Sequence, residues 1–136
     1  MRANKNEETS TLRLWLALGG WLAIVAAIIT CADRGRAPRL FALASHVPLG
    51  VKAGHFILIG ILAWLLNRAL LGRRVPIALW QIQLGGLIIS LLMTIEETSQ
   101  IWLATRHFDL KDLAANYAGI ACAGWLTRAK PAKATS

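Results

Sequence analysis

Charge is scarce in this chain. Asp, Glu, Lys and Arg supply 16% of its 136 residues and hydrophobic residues 56%, whereas soluble domains carry about 25% charged and about 45–50% apolar residues. Leu14–Ala32 and Val75–Ile95 contain no charged residue at all. Uncharged apolar runs of about 18 or more residues read as transmembrane helices, which excludes a water-soluble enzyme and a disordered chain. Cysteine is nearly absent as well. Cys31 and Cys122 sit inside or at the edge of apolar runs and read as small buried hydrophobes. That excludes a disulfide scaffold, and no metal-ligand spacing surrounds either residue, so neither a metal nor a cofactor is expected. Acids are fewer than bases, seven against 15, for a formal net charge of +8. The excess makes no nucleic-acid stripe. Basic residues punctuate the ends of apolar runs instead, at Arg13, Arg34, Arg36, Lys52, Arg68, Arg73, Arg74 and Arg128, as in a polytopic membrane protein, and no nucleic-acid partner is expected.

Two further spans accompany the uncharged ones. Ala53–Leu71 is apolar apart from His55, Asn67 and Arg68, and Leu113–Thr127 has Asn116 as its one strongly polar member. Both are short for a hydrocarbon core of about 30 Å at 1.5 Å per residue, so the residues just before each are expected to extend the helix. The first span is longer than a signal-peptide core and no good small-residue cleavage site follows it. The expected fold is an all-α membrane protein, a four-transmembrane-helix bundle over residues 13–127, with a polar N-terminal arm (1–12) and a polar tail (128–136). A short interfacial helix is expected in the first external loop, over Arg39–Val47, where Leu40, Leu43, Ala44 and Val47 share a face between Pro38 and Pro48.

Basic residues set the orientation. The N-terminal arm, the second loop and the tail hold nine of the 15, and the first and third loops hold six, diluted by Asp33, Asp109 and Asp112. Both termini are therefore expected in the cytoplasm, and Trp15, Trp64, Trp80 and Trp125 fall towards the same side as an interfacial belt.

Alternating topology then carries the chargeable groups to one membrane face. Lys52 and His55 open the second helix there, Glu96, Glu97 and Gln100 close the third, and Arg106, Asp109, Lys111, Asp112 and Asn116 lead into the fourth. On the third helix Gln83, Ser90, Thr94 and Glu97 form one stripe, which should face other helices because lipid offers no hydrogen-bond partner. Glu97 is expected to point into the bundle, and Glu96, rotated off the stripe, towards headgroups or water. Asp112 and Asn116 share a face. Ala115, Gly119 and Ala123 make a small-residue seam for close helix packing. Arg106, whose planar fork holds a carboxylate through two hydrogen bonds, is expected to pair with Glu97 or Asp112, and Lys52 and His55 supply a second cation and a titratable group. The bland alternative is a polar network that only ties helix ends together.

By these residues the chain resembles the VanZ-like family of small bacterial integral membrane proteins. The resemblance rests on Lys52 followed by His55-Phe56, then Glu97-Thr98-Ser99-Gln100, Arg106, Asp112, Asn116 and Gly119, at the family's intervals, and covers Lys52–Gly119. Val51 stands where an Asp often precedes the family's Lys, and Ala104-Thr105 replaces the Pro-Gly commonly found before its Arg. The resemblance implies a multi-pass protein of the bacterial cytoplasmic membrane. The family's namesake is associated with reduced susceptibility to teicoplanin-type antibiotics, and no reaction is established for the family.

Three functions follow as expectations. The first is a non-enzymatic envelope protein whose outer-facing cluster of Lys52, His55, Glu97, Gln100, Arg106, Asp112 and Asn116 binds a membrane lipid's anionic headgroup or a lipid-linked cell-wall precursor. The second is an enzyme acting on a lipid-linked phosphate, with Glu97 or His55 as general base. The third is an assembly subunit, in which the Ala115/Gly119/Ala123 seam pairs with another chain, such as a second copy in a homo-oligomer.

Overall fold

The computed structural model describes residues 2–36, 43, 46, 47 and 49–128. Helix α1 runs over Arg2–Asp33, α2 over Gly50–Ala69, α3 over Leu84–Ser99 and α4 over Leu110–Arg128. A two-stranded hairpin, β1 (Arg74–Ile77) and β2 (Trp80–Gln83), lies between α2 and α3, and a 3-10 turn, Gln100–Trp102, continues α3. The protein is mostly helical. Two of its segments, Glu8–Asp33 and Gly50–Ala69, are long and apolar enough to cross a membrane.

Several expectations change here. The N-terminal arm is not separate from the first helix, because helical backbone begins at Arg2. The uncharged run Val75–Ile95 is not helical throughout. Its first part is the hairpin, with Arg74 opposite Gln83 and Ile77 opposite Trp80. Pro76 has no amide proton and pushes the residue before it towards extended backbone, and Val75, Ile77 and Ile82 are β-branched residues suited to a pleated surface. The expected helix over Arg39–Val47 lies outside the described residues apart from Leu43, His46 and Val47, which are exposed. The tail beyond Arg128 lies outside them too. The second and fourth helices do extend upstream, to Gly50 and Leu110, and so take in Lys52 and Asp112.

α2 is the central element. Its buried Ile59, Leu62, Ala63 and Leu65 join Leu18 and Val25 of α1, Ile89 and Met93 of α3, and Ile120 and Ala123 of α4 in one core. The tightest approach is between α2 and α4. A β-carbon at Gly119 would overlap the carbonyl oxygen of Phe56 and lie 3.1 Å from the amide nitrogen of Gly60, so the small-residue seam is used within the chain. α1 is held by a longer reach: Trp21 Nε1 donates to the Leu58 carbonyl at 2.9 Å.

The helix ends set up the two faces of the molecule. α1 stops in a Schellman motif, with the Gly35 amide bonded to Ala32 O at 2.9 Å, the Arg36 amide to Cys31 O at 2.8 Å, and Gly35 at φ 66°. α2 stops the same way, with Leu71 donating to Arg68 O and Gly72 to Asn67 O. There the left-handed position is Leu71, at φ 54°.

Candidate functional site

Five stretches of chain meet at one end of the bundle: the C-terminus of α1, the N-terminus of α2, the C-terminus of α3, the 103–109 segment and the N-terminus of α4. Asp109 caps α4. Its carbonyl accepts the amides of Asp112 and Leu113, and its Oδ1 accepts the Lys111 amide at 2.8 Å, as a favoured N-cap residue does. That cap aims Asp112 and Asn116, one turn apart, at α2.

A first group of side chains forms where α4 faces α2. Lys52 Nζ lies 3.0 Å from Asp109 Oδ2 and 2.9 Å from Asp112 Oδ1. The first contact is an aligned hydrogen bond. The second is a charge contact that leaves Asp112 Oδ1 without a well-directed donor. His55 Nδ1 is 3.1 Å from Asn116 Oδ1 and His55 Nε2 is 3.6 Å from Asp112 Oδ2, so a protonated imidazole can donate to the first and face the second as an ion pair. Asp109, at the aqueous end of this group, has its carboxyl held below the ordinary 3.8, first by the Lys111 amide and then by Lys52.

A second group surrounds Arg106. Its Nη1 donates to Glu96 Oε1 at 3.1 Å and to Asp33 Oδ1 at 3.3 Å. The expected pairing of Arg106 with Glu97 or Asp112 is therefore corrected: the carboxylates that hold it are Glu96 and Asp33. α1 ends on the side of α3 that carries Glu96, and the Thr105 hydroxyl, donating to the Asp33 carbonyl, moors the neighbouring guanidinium there. Glu96 thus pairs with Arg106 while its side chain still lines the cavity beside this group. It also accepts from Gln100 Nε2 at 3.0 Å, one helical turn on. Only Nη1 of Arg106 donates within the described residues, which leaves the Nη2 edge of the fork open.

Glu97 joins the two groups. Its side chain is fully buried, as the polar stripe predicted. Its Oε1 accepts the Asp109 amide at 3.0 Å and its Oε2 lies 3.4 Å from Gln100 Nε2. Both oxygens are thus occupied by neutral donors. Gln100 and Asn116 are buried as well.

A cavity of about 310 Å³ opens beside the second group. Arg106, Glu96, His55 and Asp112 line its polar side, and Val25, Ile28, Ile29, Leu58, Ile59 and Met93 line its apolar side. Lys52, Glu97 and Asn116 stand behind it rather than on its wall. Ala115 and Ala123 lie on α4 with Gly119 and take no part in it. Sequence reading missed Asp33, Thr105 and the capping role of Asp109. The cap alone had a local signal, an Asp immediately before the fourth apolar segment. Among the described residues no His, Cys, Asp and Glu side chains are grouped to hold a metal ion. No family model, curated protein or solved structure matches this chain.

Proposed function

We propose that the chain is a VanZ-like integral membrane protein of the bacterial cytoplasmic membrane. In this reading it crosses the bilayer with four helices, keeps both termini in the cytoplasm, and holds the anionic headgroup of a lipid or lipid-linked wall precursor at its outer face without turning it over. The observation that carries the reading is the cavity, which joins an apolar wall from α1, α2 and α3 to the open edge of Arg106. An amphiphile needs both surfaces: acyl chain along Val25, Ile28 and Ile29, and phosphate oxygens on the fork.

Length and exposure support four crossings. α3 spans about 24 Å at 1.5 Å per residue, and the 3-10 turn adds about 6 Å, together close to a hydrocarbon core of about 30 Å. α4 spans about 28 Å by the same rise. Leu12, Leu16 and Leu22 on α1, Ile95 on α3, and Trp125 and Leu126 on α4 are exposed, an arrangement suited to lipid and costly in water.

The test is Arg106→Lys in protein purified with native lipid. A charge-assisted hydrogen bond is worth about 1.5–3 kcal/mol, so retention of anionic lipid should fall by about 10-fold or more. Glycopeptide susceptibility of cells carrying the variant is the physiological readout. Retention equal to wild type sinks the reading.

The enzyme reading keeps one favourable observation: His55 lines the cavity beside Asp112 and is oriented from behind by Asn116, as a general base would be. Glu97 does not suit that role, since both its oxygens are engaged away from the cavity. Turnover of a polyprenyl phosphate that disappears in His55→Gln would favour this second reading.

A further inference from the structure

At the opposite end of the bundle the hairpin presents an apolar tip that touches little of the chain. Leu79 is 98% exposed and Trp80 74%, and Leu71, in the turn just before the hairpin, is 84% exposed. Two of the turn positions are strained. Leu71 and Ala78 adopt φ 54° and 52°, a region L-residues other than Gly, Asn and Asp seldom visit. Glycine would relieve the strain, and the Leu71 side chain gains too little packing within the chain to offset it. The strain is therefore spent on displaying an apolar group outwards.

Arginine surrounds this tip. Arg73 and Arg74 begin the hairpin and are exposed. Arg68 sits in the last turn of α2, its guanidinium carbon 5.5 Å from the centre of the Trp64 ring. Arg128 at the end of α4 donates to the Gln81 carbonyl at 3.1 Å, tying the hairpin to the bundle. No acid occurs in the sequence between Asp33 and Glu96, or after Asp112. None of these four arginines pairs with a carboxylate among the described residues, whereas Lys52 and Arg106 at the other end each meet two.

We infer that the Arg74–Gln83 hairpin is a membrane-surface anchor that inserts Leu71, Leu79 and Trp80 into an anionic leaflet while Arg68, Arg73, Arg74 and Arg128 engage its phosphates. Apolar tip, tryptophan and unpaired arginines are the components of interfacial binding to acidic lipid, and α2, which ends at Ala69, delivers the turn to the depth where headgroups begin. The inference needs a membrane-crossing α2 and is independent of the cavity at the other end.

The test places a nitroxide on Leu79→Cys in a Cys31→Ser, Cys122→Ser background, and the full chain is reconstituted in phosphatidylcholine bilayers with or without phosphatidylglycerol. Because Leu79 makes almost no contact, the label leaves the fold intact. Expected is a label reached several-fold better by oxygen than by a water-soluble nickel complex, lying deeper when phosphatidylglycerol is present, with that difference lost in Arg73→Gln/Arg74→Gln. A label equally open to nickel in both bilayers overturns the anchor, and equal depth in both overturns its charge selectivity. Spin–spin broadening between labels, showing a second copy on the hairpin, overturns the lipid as its occupant.

Discussion

Arg106 and Lys52 each stand between two carboxylates, yet the consequences for the two cations differ. Lys52 spends its compact charge on Asp109 and Asp112, and a single ammonium can satisfy both. Arg106 uses only Nη1 for Glu96 and Asp33, so among the described residues the rest of its rigid fork is unengaged, as the proposed headgroup site requires. The spacing puts Lys52 with His55, and Asp112 with Asn116, on one helical face each, but does not say which pair faces which, since the partner expected for Asp112 is Arg106. The partners of Arg106 were not readable. Asp33 is separated from it by 73 residues, and no local pattern says on which side of α3 the end of α1 will lie. Asp109 gives this scale its pH prediction. Its carboxyl is held below 3.8 in the folded protein, so its contribution to stability is full above 3.8 and is lost as pH falls through the lower folded value. Acid unfolding monitored by circular dichroism in detergent should show a shallower low-pH limb in Asp109→Asn than in wild type. Identical limbs would remove Asp109 from the account.

At the level of elements, the pairing of α2 with α4 fixes the site, because it sets Lys52 and His55 against Asp112 and Asn116. That pairing depends on Gly119, where the backbones approach until a β-carbon would collide with Phe56. Gly119→Leu should separate the two helices, lowering stability by ~1–3 kcal/mol or more as overpacking does, and should pull His55 away from Asn116. The thermal midpoint in detergent checks the first effect, and weakened lipid retention checks the second. A wild-type midpoint would mean that the two helices do not pack as described. The small-residue spacing pointed to this contact from sequence but left open whether its partner was internal or a second chain. The hairpin was hidden for a different reason. Hydropathy integrates over a window, and Val75–Ile95 is uncharged throughout, yet Pro76 and the paired strands divide it at Gln83. Backbone chemistry decided an element that apolar content had assigned to a single helix.

Across the whole molecule, charge is sorted by end. Asp33, Glu96, Glu97, Asp109 and Asp112 gather at one face with just enough cations to pair most of them, while among the described residues the arginines of the hairpin face meet no carboxylate, the two remaining acids, Glu7 and Glu8, lying near the start of α1. Such sorting is what a chain alternating across a bilayer produces when positive charge stays on the cytoplasmic side, and in the proposed topology the cavity then lies outside. Ala104, exposed beside the Arg106 group, and Arg73, exposed at the start of the hairpin, therefore belong in different compartments. Single cysteines at these positions, in a background lacking Cys31 and Cys122, separate the alternatives when a membrane-impermeant maleimide is applied to intact spheroplasts. Ala104→Cys should label from outside, and Arg73→Cys should label only after the membrane is permeabilised. The reverse pattern would place the cavity in the cytoplasm, out of reach of any external wall precursor. Labelling of both from outside would mean that α3 does not carry the chain across the membrane between the two positions.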